Sequence, residues 1–245
     1  MTDVFLVAGQ SNANGLGDPD AGSAAPEEAR EYDPETGTFA PLAEPVGPGD
    51  GGSAWTAFAR AYHDATGRPL VIISTAVNGA ALHPDADENR AAGDWRPDSE
   101  YARHAVSAVE DCMAALDGAT FRGVLWHQGE SDAIAIDDDH HTLDAYEDAF
   151  WALLDYFRHA FGDDTPLYLF QIGRRRDEDT AGWQAVRDAQ ERFAAADETV
   201  HLVFSDAVAF GEDGRMQDIY HYTQAGYDEM GRVGGRAVAD IVQRS

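Results

Sequence analysis

The chain has 245 residues and 44% hydrophobic content, the size of one ordinary domain over residues 1–245, and its 45 acidic residues against 17 basic ones give a formal net charge of −28. All 17 basic residues are arginine, so no lysine is available to grip a nucleotide phosphate or to form a Schiff base with a carbonyl or pyridoxal phosphate. This charge speaks against nucleic acid and anionic membranes as partners, and no stretch reaches the roughly 18–20 apolar residues of a membrane span.

The N-terminus enters an apolar run at once, with no basic region or cleavage site, so a cytoplasmic protein is expected. That run, Val4–Ala8, is nearly continuously apolar, as a strand covered on both faces would be. Directly after it comes Gly9-Gln10-Ser11-Asn12. A serine where a strand turns into a helix lies beside free backbone N–H groups, which favour a developing anion. It also suits a helix cap.

Gly15–Gly52 follows, rich in Gly, Pro, Asp and Glu, and reads as a long loop. Ala54–Ala65 has helical period and closes at Gly67; Leu70–Thr75 is a second strand. Asn78–Pro97 is another long loop, and long loops inside a small domain tend to be functional. Both loops follow strand ends, where open α/β sheets place ligands. Glu100–Leu116 repeats apolar residues at Ala102, Ala105, Val109, Cys112 and Leu116 before stopping at Gly118. Cys112, the only cysteine, reads as a small buried hydrophobe, and its solitude excludes an intramolecular disulfide or a multi-cysteine zinc site.

Gly123–His127 is a third strand, and Gln128-Gly129-Glu130-Ser131-Asp132 follows where it leaves the core. Glu130 and Asp132 are of the kind that hydrogen-bond loop N–H groups. Asp137-Asp138-Asp139-His140-His141 has metal-ligand chemistry, but adjacent residues point apart and cannot all hold one ion; it reads as a solvated acidic loop. Asp144–Phe161 and Trp183–Ala196 are helical, and Leu167–Ile172 and Val200–Phe204 complete five strands. Asp218-Ile219-Tyr220-His221 precedes the last helix, Gln224–Val242. A carboxylate three residues before a histidine reaches Nδ1 and leaves Nε2 free to take a proton. Alternating strand and helix predicts an α/β fold, a three-layer α/β/α sandwich around a five-stranded parallel sheet.

Together Gly9-Gln10-Ser11-Asn12, Val77-Asn78-Gly79, Gln128-Gly129-Glu130-Ser131-Asp132 and Asp218-x-x-His221 resemble the ordered blocks of the SGNH hydrolases. Within them the chain is most similar to carbohydrate esterase family 6 and the sialate O-acetylesterase domains. The resemblance implies a flavodoxin-like fold and a serine esterase for short acyl, above all acetyl, esters on a small molecule or oligosaccharide, with neither cofactor nor metal. It also implies roles: Ser11 as nucleophile, His221 as general base and Asp218 as its orienting partner. The oxyanion hole would take the backbone N–H of Ser11, that of Gly79 and the side-chain amide of Gln128. Gln10, Asn12, Glu130 and Asp132 would support that machinery without reacting. Asn78-Gly79-Ala80 departs from the family, which often has two glycines and then a hydroxyl residue, so leaving-group contacts would differ.

Two other readings compete. Gly9-x-Ser11 is half of an α/β-hydrolase elbow, but Ala13 replaces the second glycine and Ser11 follows the first strand. A non-catalytic carbohydrate-binding protein would not need every catalytic position filled. Trp55, Trp95 and Trp183 would suit either a sugar platform or the core.

The charge predicts a protein built for a salt-rich interior. A GC-rich genome also favours arginine over lysine, but it does not produce the excess of acids. In dilute buffer carboxylate repulsion reaches about 10 Å, and at molar salt about 3 Å. The melting temperature should therefore rise between about 0.1 and 2 M KCl, when followed by thermal unfolding at fixed pH. A constant or falling value would contradict this reading.

Overall fold

The computed structural model describes residues 1–87 and 92–244. The five apolar runs form strands: β1 (Thr2–Gly9), β4 (Leu70–Ser74), β5 (Ala119–His127), β6 (Leu167–Phe170) and β7 (Val200–Phe204). Their continuous apolarity has the expected cause. Along β1, Val4, Leu6 and Ala8 enter one core while Phe5 and Val7 enter the other, and all five are fully buried.

Two strands were not expected. β2 (Ala29–Asp33) and β3 (Thr38–Pro41) lie inside the stretch read as a loop and pair antiparallel with each other. The sheet therefore has seven strands in the order β3-β2-β4-β1-β5-β6-β7, parallel except for the β2–β3 hairpin. β3 is an edge strand whose residues are mostly exposed, which explains why its run is not apolar. In the second long loop, Pro84–Ala86 forms one turn of 3₁₀ helix, and positions 88–91 lie outside the described residues.

The long helices are α2 (Trp55–Thr66), α3 (Glu100–Ala115), α5 (Leu143–Phe161), α6 (Ala181–Ala196) and α7 (Gln224–Val242). Short α1 (Ser11–Asn14) and α4 (Glu130–Asp137) join them. Residues of α3, α5 and α6 fill the core on one face of the sheet, and residues of α2 and α7 fill the other. No described helix is long and apolar enough to cross a membrane.

The connectivity locates the site. From β1 the chain builds β2, β3 and β4 on one side, then crosses to build β5, β6 and β7 on the other. The carboxyl end of β1 is thus the point where strand order reverses, and such a point opens a crevice. Gly9 ends β1 there at φ +132°, and a Cβ on it would lie 2.0 Å from the His127 carbonyl oxygen, so only glycine lets β1 turn against β5.

On the opposite face α2 and α7 pack backbone to backbone. A Cβ added at Gly231 would meet the Ala54 carbonyl oxygen at 2.0 Å and the Phe58 nitrogen at 2.8 Å. Neither neighbour is a side chain that can swing away. Gly231→Ala should force the helices apart and cost about 1–3 kcal/mol, read as a lower melting temperature at constant salt. An unchanged value would show that the contact is not so close.

Candidate active site

Ser11 opens α1 immediately after β1 and is 6% exposed. Its Oγ lies 3.0 Å from His221 Nε2, and His221 Nδ1 lies 2.8 Å from Asp218 Oδ2. The other Asp218 oxygen accepts the backbone N–H groups of Tyr220 and His221, both at 2.8 Å. Burial raises the Asp218 carboxyl, but the bond from His221 and these two N–H groups outweigh it and hold the carboxyl below its usual range. An ionised Asp218 holds the imidazole with Nε2 toward the serine. The structure thus brings together three residues separated by up to 210 positions.

Two tryptophans fix the turn that carries the serine. Trp55 Nε1 donates to the Ala13 carbonyl at 2.6 Å, and Trp95 Nε1 donates to the Gly9 carbonyl at 3.1 Å. Both are fully buried, and Trp183 is buried too, stacked on Tyr220, so none of the three presents an open platform.

Gln10, Asn12, Glu130 and Asp132 are buried and bind loop to loop. Asn12 Nδ2 donates to Glu130 at 2.7 Å and to the Tyr220 carbonyl at 3.1 Å, and its Oδ1 accepts the Tyr227 hydroxyl at 2.8 Å. Gln10 Oε1 accepts the Gly129 and Ser131 backbone N–H groups. Burial raises Glu130, but the facing His127 ring and the Asn12 bond reverse the effect and lower it. Asp132 accepts the N–H groups of Leu82 and His83, yet burial dominates and pushes its carboxyl up to about 6.

Gln128 departs from expectation. Its Nε2 donates to Asp132 at 2.6 Å and faces Gln10 Oε1 at 3.2 Å and the Ala80 carbonyl at 3.3 Å. An amide has two N–H groups, so none is left for an oxyanion. The amide braces the loop that carries Gly79 instead. The backbone N–H groups of Ser11 and Gly79, by contrast, donate to no group among the described residues. At the departure Asn78-Gly79-Ala80, Ser131 supplies a hydroxyl from the other side, donating to the Gly79 carbonyl at 3.0 Å.

Residues 1–240 match the family described as carbohydrate esterase, sialic acid-specific acetylesterase. The chain belongs to that family. As a carbohydrate esterase of the acetylesterase type it is a carboxylic ester hydrolase, and the substrate is a small-molecule or carbohydrate acetyl ester. Solved structures share the fold. A protein from Arabidopsis thaliana is 19% identical with a TM-score of 0.72, over 97% of this chain and 98% of that one. NanS is 17% identical with a TM-score of 0.68, over 99% and 97%. XAC1771, described as a carbohydrate acetylesterase from Xanthomonas citri, is 19% identical with a TM-score of 0.65, over 97% of this chain and 56% of that one. A comparison with curated proteins gives no match.

Two residues that brace these loops have no sequence signal of their own: Tyr227, whose hydroxyl donates to Asn12, and Asn14, whose Nδ2 donates to Asn78 at 2.9 Å. His141 corrects one expectation. Asp137, Asp138, Asp139 and His140 are exposed as an acidic loop should be, but His141 is buried, stacked on His83 with its Nε2 3.5 Å from Asp132.

Burial pushes the His141 pKa down to about 4 from an ordinary 6.5. Between those values the unfolded chain binds a proton that the fold refuses, so stability falls as pH drops through that window. At pH 5 this one ring costs about 2 kcal/mol relative to pH 7.5. The raised carboxyl of Asp132 acts in the opposite sense, because there the fold holds the proton and the unfolded chain does not. His141→Phe, which keeps the stacked ring, should therefore lose less stability than wild type between pH 7.5 and pH 5. Urea unfolding at the two pH values would measure it, and identical losses would refute the assignment.

Proposed function

We propose that the chain removes O-acetyl groups from carbohydrate by a serine acyl-enzyme route, with Ser11 as nucleophile, His221 as base and Asp218 as the residue that orients it. The observation that carries this reading is the unbroken relay Asp218–His221–Ser11, at 2.8 and 3.0 Å, at the switch point of the sheet. His221 Nε2 takes the Ser11 proton as Oγ bonds to the acetyl carbon, and it then returns that proton to the departing sugar oxygen. Water repeats the sequence on the acetyl-enzyme and releases acetate.

The tetrahedral oxygen needs donors that other bonds have not consumed. The backbone N–H groups of Ser11 and Gly79 meet this condition; the Gln128 amide does not. Donors fixed in the backbone need no reorganisation as charge develops, and each such donor contributes about 10²–10³ in rate. A binding protein would gain nothing from the serine contact, which favours the catalytic reading over the non-catalytic one.

Ser11→Ala should lower kcat on 4-nitrophenyl acetate by at least about 10³, with the melting temperature unchanged. A fluorophosphonate probe should label wild type at Ser11 alone. Labelling elsewhere, or retained activity in the variant, would overturn the assignment.

A further inference from the structure

The chain has a single run of three basic residues, Arg174-Arg175-Arg176, and it follows β6. β6 runs parallel to β5, and β5 to β1, so this loop leaves the sheet at the same edge as Ser11. Two contacts join it to the histidine loop. The Arg176 backbone N–H donates to the Ile219 carbonyl at 3.0 Å, and the Arg175 guanidinium stands 6.0 Å from the centre of the Tyr220 ring. That ring is stacked on Trp183 and lies 6.3 Å, centre to centre, from the ring of His221. The loop is also anchored to α6, since Arg187 donates to the Gly173 carbonyl at 2.7 Å and to Asp179 at 2.5 Å.

The three arginines are not equally occupied. Arg174 donates to Glu212 at 3.0 Å, and Arg176 donates to Asp177 at 3.3 Å. Arg175 makes no hydrogen bond among the described residues: its buried Nε has no partner, and its ion-pair partner, Glu178, stands 3.6 Å from Nη1. Glu178 is exposed, and an exposed ion pair contributes little, so an incoming anion displaces it at small cost. A guanidinium offers five N–H groups in a planar fork that matches a carboxylate. With a net charge of −28 the protein as a whole repels anions. A cation with unspent donors beside the histidine loop is what an acidic substrate would need in order to settle there.

We propose that Arg175 is a specificity-determining residue of the esterase: it takes the carboxylate of an acetylated acidic sugar in exchange for Glu178, while the acetyl group faces Ser11. The proposal rests on the esterase reading of Ser11, and the experiment separates the two. Acetate release is followed from 9-O-acetyl-N-acetylneuraminic acid and from its methyl ester, which lacks the charge, and 4-nitrophenyl acetate is the third substrate. Wild type should prefer the acid to its methyl ester by at least about tenfold in kcat/KM. Arg175→Gln should raise KM for the acid about tenfold, while kcat and the turnover of the other two substrates stay within about twofold. Arg175→Lys, which keeps the charge and loses the fork, should recover part of that loss. Glu178→Gln should act in the opposite sense and lower KM for the acid, an effect that a misfolded loop would not produce. A wild type that hydrolyses the methyl ester as well as the acid would overturn the proposal. So would an Arg175→Gln variant that loses both sugars equally, or a Glu178→Gln variant whose KM for the acid does not fall. Failure of wild type on 4-nitrophenyl acetate would instead overturn the esterase reading.

Discussion

Two buried carboxylates on the first turn of α4 hold every loop from which the site is built. Glu130 takes Asn12 from the serine turn, and the same Asn12 amide reaches the Tyr220 carbonyl on the histidine loop. Asp132 takes the Leu82 and His83 N–H groups from the loop that carries Gly79. Removing the partner of a buried charge costs about 3–5 kcal/mol, so a loop that lets go leaves a penalty behind. Loops are ordinarily the mobile part of a fold. Here the geometry of a relay spread over two of them, and of the Gly79 loop beside it, is set by buried acceptors that hold their donors.

This dependence explains what the sequence disclosed and what it withheld. That Ser11, Asp218 and His221 would meet was readable because each sits in a short motif whose chemistry is local or familiar. The five buried strands were readable because coverage on both faces demands unbroken apolar runs. The β2–β3 hairpin was not, because Ala29-Arg30-Glu31-Tyr32-Asp33 buries only Ala29 and Tyr32, and β3 buries nothing fully. α1 and α4 were missed because four and eight residues are too few to show a helical period. The direction of the Gln128 amide was also out of reach. It is decided by Asp132, four residues on, and by Gln10, 118 residues away, and no motif records that competition.

The charge of the chain is distributed by the same logic. Outside, carboxylates dominate and large exposed hydrophobics are confined, among the described residues, to Met1 and Val208. Inside, each acid has been given donors. Asp3, fully buried at the start of β1, receives Arg122 at 2.6 Å and the Tyr62 hydroxyl at 2.6 Å. Arginine suits this task better than lysine, since its planar fork stays charged and satisfies fixed acceptors. Surface repulsion responds to salt, whereas these enclosed pairs are screened far less. Salt therefore acts on the outer shell of charge and leaves the bracing of the site alone.

The sheet also divides labour around β1. On its β5 side the bonds run from loop to loop: Glu130 Oε1 accepts Asn12 Nδ2, Asp132 accepts the Leu82 N–H, and Gln190 donates to the Gln128 carbonyl at 2.9 Å. On its β4 side lie a cavity, a hydroxyl without a partner and carboxylates with capacity to accept. Hydrogen-bond capacity is finite, so groups that brace a site cannot also read a substrate. The reversal of strand order at β1 sets these two neighbours on opposite sides of one serine. The braced side holds the serine turn against the histidine loop, through bonds that the open side does not share.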